Sequence, residues 1–157
     1  MKKSLLWITT ASLFLIPIFP LLVANSFFFP FITGKAFYFR ILVEIAFASW
    51  LILACFDAKY RPRFNQLTVT ITLFTLIALL ADVLGVNPVR SIYSNFERME
   101  GWLAIIHLWA FYIVATSTFS ASPSPKQLWY RWFNVSIVVA TIVAIYGLVQ
   151  LSGNAEI

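Results

Sequence analysis

Leu67–Val86 reads LTVTITLFTLIALLADVLGV, and this stretch decides the fold class of the chain. Its one charged residue, Asp82, lies near the end. A helix rises about 1.5 Å per residue, so about 20 residues cross the ~30 Å hydrocarbon core of a bilayer. The stretch does not alternate strictly between apolar and polar residues along its length, as a barrel strand would. Because backbone polar groups in lipid must bond to each other, it predicts a transmembrane α-helix.

Four more apolar runs of similar length occur, at Leu5–Ala24, Ala36–Phe56, Trp102–Phe119 and Phe133–Leu151. The first exceeds the ~7–15-residue apolar region of a signal peptide, so we interpret it as a retained span. Pro17 and Pro20 should kink that helix or end it early. Residues 1–157 are therefore predicted to form one all-α polytopic unit with five spans.

The composition excludes several classes of protein. The 157 residues are 61% hydrophobic and 11% charged, with a mean hydropathy of +0.88. A soluble domain has roughly 45–50% apolar and about 25% charged residues. The basic residues are dispersed rather than clustered, so we expect no nucleic-acid partner. The single cysteine, Cys55, excludes an internal disulfide and a cysteine-rich metal site.

The charges predict an orientation. With the N-terminus in the cytoplasm, three residues would be external: Lys35, Arg90 and Arg98. Seven would be cytoplasmic: Lys2, Lys3, Lys59, Arg61, Arg63, Lys126 and Arg131. Cytoplasmic connections of membrane proteins carry an excess of Lys and Arg, so this arrangement is favoured. Anionic membrane lipids would attract the cytoplasmic side.

Two charged residues lie inside the second span. Arg40 and Glu44 are four residues apart, so they share one helix face and can pair. Charged residues within a span usually face a protein interior or a water-filled cavity. The pair is either part of a polar pathway or head-group site, or a self-neutralised pair near the external interface from which Arg40 reaches water.

The longest connection, Asn87–Gly101, reads NPVRSIYSNFERMEG. Arginine binds phosphate or diphosphate through two parallel hydrogen bonds, and an aromatic ring can hold a sugar face or an isoprenoid chain. A glutamate could act as a base toward a substrate hydroxyl. The candidate substrate-binding residues are therefore Arg90, Arg98, Tyr93, Glu97 and Glu100. The alternative is a solvated loop that maintains topology, with interfacial aromatics.

Two further polar features lie in the spans. His107 follows Glu100 by seven residues, which would put both on one helix face. A lone histidine without ligands at metal-binding spacing does not make a metal site, and a hydrogen bond to a neighbouring helix is its more common role. The third span has four threonines, which favour helix packing with hydroxyls bonded back to the backbone over a transport path: Thr68, Thr70, Thr72 and Thr75.

About ninety residues, from Phe31 to Phe119, resemble the N-terminal part of the bacterial O-antigen ligase/polymerase family. The resemblance lies in the order and spacing of several motifs: Thr33-Gly34-Lys35 followed by Arg40 and Glu44, Tyr60-Arg61-Pro62-Arg63, Asn87-Pro88 through Ser91 and Asn95, and Glu97-Arg98-Met99-Glu100-Gly101. Tyr146-Gly147-Leu148-Val149-Gln150 fits the pattern more loosely.

The resemblance implies a multi-pass protein of the bacterial inner membrane with about a dozen helices. It implies transfer of a glycan from undecaprenyl diphosphate to lipid A core, a polysaccharide or a protein on the periplasmic side, without metal or cofactor. Arg90, Arg98, Glu97 and Glu100 match the first sizeable external segment of the family. Arg40 and Glu44 match a recurrent polar pair.

The family's principal catalytic residues lie in a large periplasmic loop, which we expect downstream of Ile157. The histidine of that loop is not carried over to His107. The chain is thus expected to be an N-terminal fragment, inactive alone. The alternative is a complete small non-enzymatic membrane protein, such as a channel or transporter subunit or an assembly partner. Few polar residues are available to line a path in that case.

Overall fold

A computed structural model describes residues 2–22, 33–95 and 100–153. In this part of the chain the regular structure is helical, which confirms the all-α prediction. The helices are α1 (Lys2–Leu15), α2 (Thr33–Phe56), α3 (Gln66–Leu84), α4 (Pro88–Tyr93), α5 (Trp102–Ser120) and α6 (Pro125–Leu151).

The first span changes its helix type at its prolines. The α-helix ends at Leu15, and a 3₁₀ helix continues over Ile16–Leu21, which contains Pro17 and Pro20. Proline lacks the N–H that an α-helix needs and its ring clashes with the preceding turn. The early end of the α-helix expected from the sequence is confirmed.

Two predicted boundaries are wrong. The fifth span was predicted to begin at Phe133, but α6 begins at Pro125 and includes Trp129, Tyr130 and Trp132. Proline suits a helix start because the first turn needs no N–H donor there, and its φ angle is already helical. The second span was predicted to begin at Ala36, whereas α2 begins three residues earlier, at Thr33.

Part of the long connection is also helical. Asn87 accepts a hydrogen bond from the Arg90 backbone N–H at 3.3 Å and caps α4. The backbone at Gly101 packs closely against α4. A Cβ atom there would lie 2.3 Å from the Ser91 carbonyl oxygen and 2.4 Å from that of Ile92. Only glycine fits so close to the two carbonyls.

The core lies between α1, α2, α5 and the start of α6. Leu13, Val43, Leu53, Val114 and Phe119 have at most 1% of their surface exposed. Polar bonds join the same helices. The Thr9 and Ser49 hydroxyls lie 2.8 Å apart between α1 and α2, and the Trp132 indole N–H donates to the Leu13 carbonyl at 2.9 Å. These bonds fix α1 and α6 against the centre of the bundle.

Threonines of α3 bond to aromatic residues of α5. The Trp102 and Trp109 indoles donate to the Thr75 carbonyl and the Thr72 hydroxyl, both at 3.0 Å, and Thr68 Oγ1 lies 3.2 Å from the Tyr112 hydroxyl. Other threonine bonds return to the helix: Thr70, Thr72 and Thr75 each donate to the carbonyl four residues earlier. The predicted role in helix packing is confirmed.

The basic residues predicted to lie on one side gather at one end of the bundle. Lys2 forms an ion pair of 3.5 Å with Asp57, which joins the start of α1 to the end of α2. The rings of Phe119 and Trp129 are 4.7 Å apart and join the end of α5 to the start of α6. We name this the basic end; it holds Lys2, Lys3, Lys59, Arg61, Arg63, Lys126 and Arg131. Which side of the membrane it faces stays a prediction.

Five helical segments of the described residues are long and apolar enough to cross a membrane: Lys2–Leu21, Thr33–Phe56, Gln66–Leu84, Trp102–Ser120 and Pro125–Leu151. Their outer faces carry large exposed apolar side chains, such as Phe74, Ile77 and Leu80 on α3. Contiguous apolar surface of this kind requires a lipid environment or a partner. The five segments indicate a multi-pass membrane protein.

Candidate functional site within the helix bundle

A side-chain hydrogen bond joins two spans of the bundle. His107 on α5 places Nε2 3.2 Å from Oε1 of Glu44 on α2. The imidazole side chain is 11% exposed and the carboxylate side chain 67%. The predicted bond from His107 to a neighbouring helix is therefore confirmed, and its partner is one of the two charged residues singled out in the second span.

The second nitrogen of His107 restricts where the protons lie. Its Nδ1 is 2.6 Å from the Leu103 carbonyl oxygen. A carbonyl oxygen only accepts, so Nδ1 carries a hydrogen. The contact at Nε2 then needs one further proton, held either by the imidazole or by the carboxyl of Glu44. In both cases this proton lies between His107 Nε2 and Glu44 Oε1.

Arg40 lies one helical turn before Glu44 on α2 and interacts electrostatically with its carboxylate. The arginine is buried, with 8% of its surface exposed. A buried charge needs a partner of opposite sign, because removal from water is costly. Arg40, Glu44 and His107 therefore form one polar cluster, which we name the intramembrane cluster.

The cluster borders an apolar cleft of about 340 Å³. Apart from Glu44 and His107, the wall is apolar or aromatic: Val43, Phe47, Ile106, Trp109 and Ala110. Electrostatic interactions are stronger in such surroundings than in water. The geometry suits a polar contact that holds two helices together beside an apolar cleft.

Arg90 and Tyr93 are exposed on α4, and Glu100 is exposed before α5. The predicted common helix face of Glu100 and His107 is wrong, because α5 begins only at Trp102. Glu97 and Arg98 lie outside the described residues.

Besides the contact between Glu44 and His107, Lys2 forms an ion pair with Asp57 at the end of α2. Residues 2–22, 33–95 and 100–153 contain no group of three or more His, Cys, Asp or Glu residues that could hold a metal ion. The sequence alone did not pair Glu44 with His107, which are 63 positions apart. The sequence indicated only that Glu44 and His107 are each an ionisable residue within a span.

No protein-family model, curated protein or solved structure matches the chain. Any function assigned to it therefore depends on its own residues and on their geometry.

Proposed function

We propose that the chain corresponds to the N-terminal transmembrane part of a bacterial O-antigen ligase-like glycosyltransferase of the inner membrane. Such an enzyme moves a glycan from undecaprenyl diphosphate to an acceptor on the periplasmic side. The acceptor is lipid A core, a polysaccharide or a protein. The proposal rests on the order and spacing of the motifs between residues 31 and 119.

One structural observation supports the proposal. Glu44 and His107 come from two separate parts of the stretch that carries the resemblance, and their side chains are in hydrogen-bond contact at 3.2 Å. The bond fixes α2 against α5. Gly101, directly before α5, lies against the Ser91 and Ile92 carbonyls of α4, so a fixed α5 also places this helix of the external segment. The intramembrane cluster is thus a positioning element in the proposal.

The external segment supplies the binding chemistry. Arg90 and Arg98 would contact the diphosphate, because a guanidinium binds two phosphate oxygens at once. Tyr93 would lie against the sugar or the isoprenoid chain. Glu97 and Glu100 would bind acceptor hydroxyls as the acceptor approaches. This division of roles needs no metal or cofactor.

The test measures glycan transfer by the intact gene product in membrane vesicles, with undecaprenyl-diphosphate-linked glycan as donor. Arg98→Ala should lower the transfer rate by about tenfold, the value of one charge-assisted contact of ~1.4 kcal/mol, without abolishing membrane insertion. Arg90→Ala should act in the same direction. Lys126→Ala, which removes a charge at the basic end, is the matched control.

Two outcomes count against the proposal. Full transfer by both arginine variants would show that the external segment only maintains the membrane topology. Absence of transfer by wild-type vesicles, with the protein correctly inserted, would favour the non-enzymatic membrane protein instead.

A further inference from the structure

A second polar site lies at the basic end, away from the intramembrane cluster. A cavity of about 300 Å³ opens between the α2–α3 connection, the start of α3 and the last turns of α5. This volume is at the lower limit of ligand pockets, so it suits a head group rather than a large sugar. It is independent of the glycan-transfer proposal.

Three cations line this cavity within five positions of the chain: Lys59, Arg61 and Arg63. The described lining residues include no Asp or Glu. The acidic residue nearest in sequence, Asp57, is held by Lys2 at 3.5 Å and by the Lys59 backbone N–H at 3.1 Å. The cavity therefore has a strongly positive wall.

A hydrogen bond to the backbone restricts the Arg61 side chain. Its Nε donates to the Ala54 carbonyl at 3.3 Å, at the end of α2. This bond uses one of the five N–H groups of a guanidinium. An arginine fixed in this way loses less conformational freedom when it binds an anion.

Ser117 supplies an independent observation that points to a ligand. It lines the cavity with 5% of its surface exposed, and its Oγ has no hydrogen-bond partner among the described residues. Two other hydroxyls of the wall are bonded: Thr116 donates to the Tyr112 and Ile113 carbonyls, and Thr68 contacts the Tyr112 hydroxyl. A buried polar group without a partner is rare and costly.

We propose that this cavity binds a phosphate group, with the cations neutralising its charge and the Ser117 hydroxyl donating to one of its oxygens. The start of α3 adds the positive end of a helix dipole, since Asn65 and Thr68 also line the cavity. The basic end adjoins the membrane surface, where phospholipid head groups lie. Basic pockets between spans bind such head groups. The ligand is therefore the phosphate of an anionic phospholipid.

The experiment uses the full chain purified into phosphatidylcholine nanodiscs. The Tm is measured after phosphatidylglycerol is added. Added phosphatidylcholine is the control for a neutral lipid, and added inorganic phosphate is the control for a soluble phosphate. Retained lipid is identified by native mass spectrometry. Phosphatidylglycerol should raise the Tm and stay bound, whereas inorganic phosphate at equal ionic strength should not. If inorganic phosphate raised the Tm as much as phosphatidylglycerol does, the cavity would still be a phosphate site, but its ligand would be a soluble phosphate compound.

Three variants test the site. The double variant Arg61→Gln/Arg63→Gln should weaken phosphatidylglycerol binding by about 100-fold, since each charge-assisted contact contributes about tenfold. Lys126→Gln/Arg131→Gln removes the same charge at the same end but outside the cavity, and should bind like the wild type. Ser117→Ala should weaken binding by about tenfold while leaving the Tm without lipid unchanged or higher, because no protein bond is lost.

The proposal is overturned if the two double variants lose binding equally, because the attraction would then belong to the whole surface. It is also overturned if Ser117→Ala binds phosphatidylglycerol as tightly as the wild type.

Discussion

His107 on α5 binds the carboxylate of Glu44 on α2 while its other ring nitrogen bonds the Leu103 carbonyl. Both nitrogens of one imidazole are thus engaged, one with its own helix and one with the next. The arrangement predicts strong energetic coupling between the two residues.

A double-mutant cycle of Glu44→Gln, His107→Leu and their combination should give a coupling free energy of about 1 kcal/mol, within the range measured for bonds between spans. Unfolding of the purified protein in mixed micelles measures it. Additive single effects would show that the contact contributes nothing to stability.

Gly101 should not tolerate a side chain. Gly101→Ala places a methyl group against the Ser91 and Ile92 carbonyls, at distances well below van der Waals contact. We expect a loss of about 1–3 kcal/mol in the free energy of unfolding, the usual cost of overpacking.

Gly147→Ala is the matched control for that substitution. Gly147 lies within α6 and a Cβ there meets nothing within 4 Å. Because alanine favours a helix over glycine by roughly 1 kcal/mol, this variant should be unchanged or more stable. Equal destabilisation of both variants would contradict the close approach at Gly101.

The orientation can be tested at two connections. A reporter fused at Ser94 should signal the external side, and one fused at Pro62 should signal the cytoplasm, because the basic end retains the Lys and Arg excess. Alkaline phosphatase and green fluorescent protein fusions give opposite readouts for each position. A cytoplasmic signal at Ser94 would reverse the predicted topology.

Protonation of Asp57 should lower the stability of the protein in acid. The Lys59 backbone N–H, together with Lys2, lowers the pKa of Asp57 below its ordinary value. A group whose pKa is lower in the folded state stabilises the protein above its unfolded pKa, and the contribution is lost as the pH falls through the folded value. The carboxylate is at the surface, so the effect is small.

The measurement compares the Tm of the wild type and Asp57→Asn between about pH 6 and pH 3, where aspartate titrates. The wild type should be the more stable at the upper end, and the difference should shrink on acidification. A difference that does not change with pH would exclude this carboxylate as its source.

The sequence predicted the spans well because their length and hydropathy depend on local composition alone. The end of α1 before Pro17 was predictable for the same reason. The start of α6 at Pro125 was missed, because aromatic residues at a membrane interface occur in both loops and helices. Local sequence also predicted the role of the α3 threonines in packing.

The contacts that build the sites were not predictable. Glu44 and His107 are brought together by the packing of α2 on α5, which no local pattern specifies. The cavity at the basic end depends on Ser117, which by itself is an ordinary residue of a span. The cations of the α2–α3 connection were predicted only to lie on the cytoplasmic side.

The threonine bonds between α3 and α5 have a consequence for axial register. Apolar faces in lipid have no preferred alignment, so polar contacts must set it. Threonines occur in each turn of the first half of α3, one turn on either side of Thr72, so a slip of one turn, about 5.4 Å, would bring Trp109 opposite another threonine. The chain has a single histidine, so the bond from His107 to Glu44 cannot re-form one turn away. That bond therefore fixes the register of α5 against α2, and the threonine contacts align α3 against the α5 so placed.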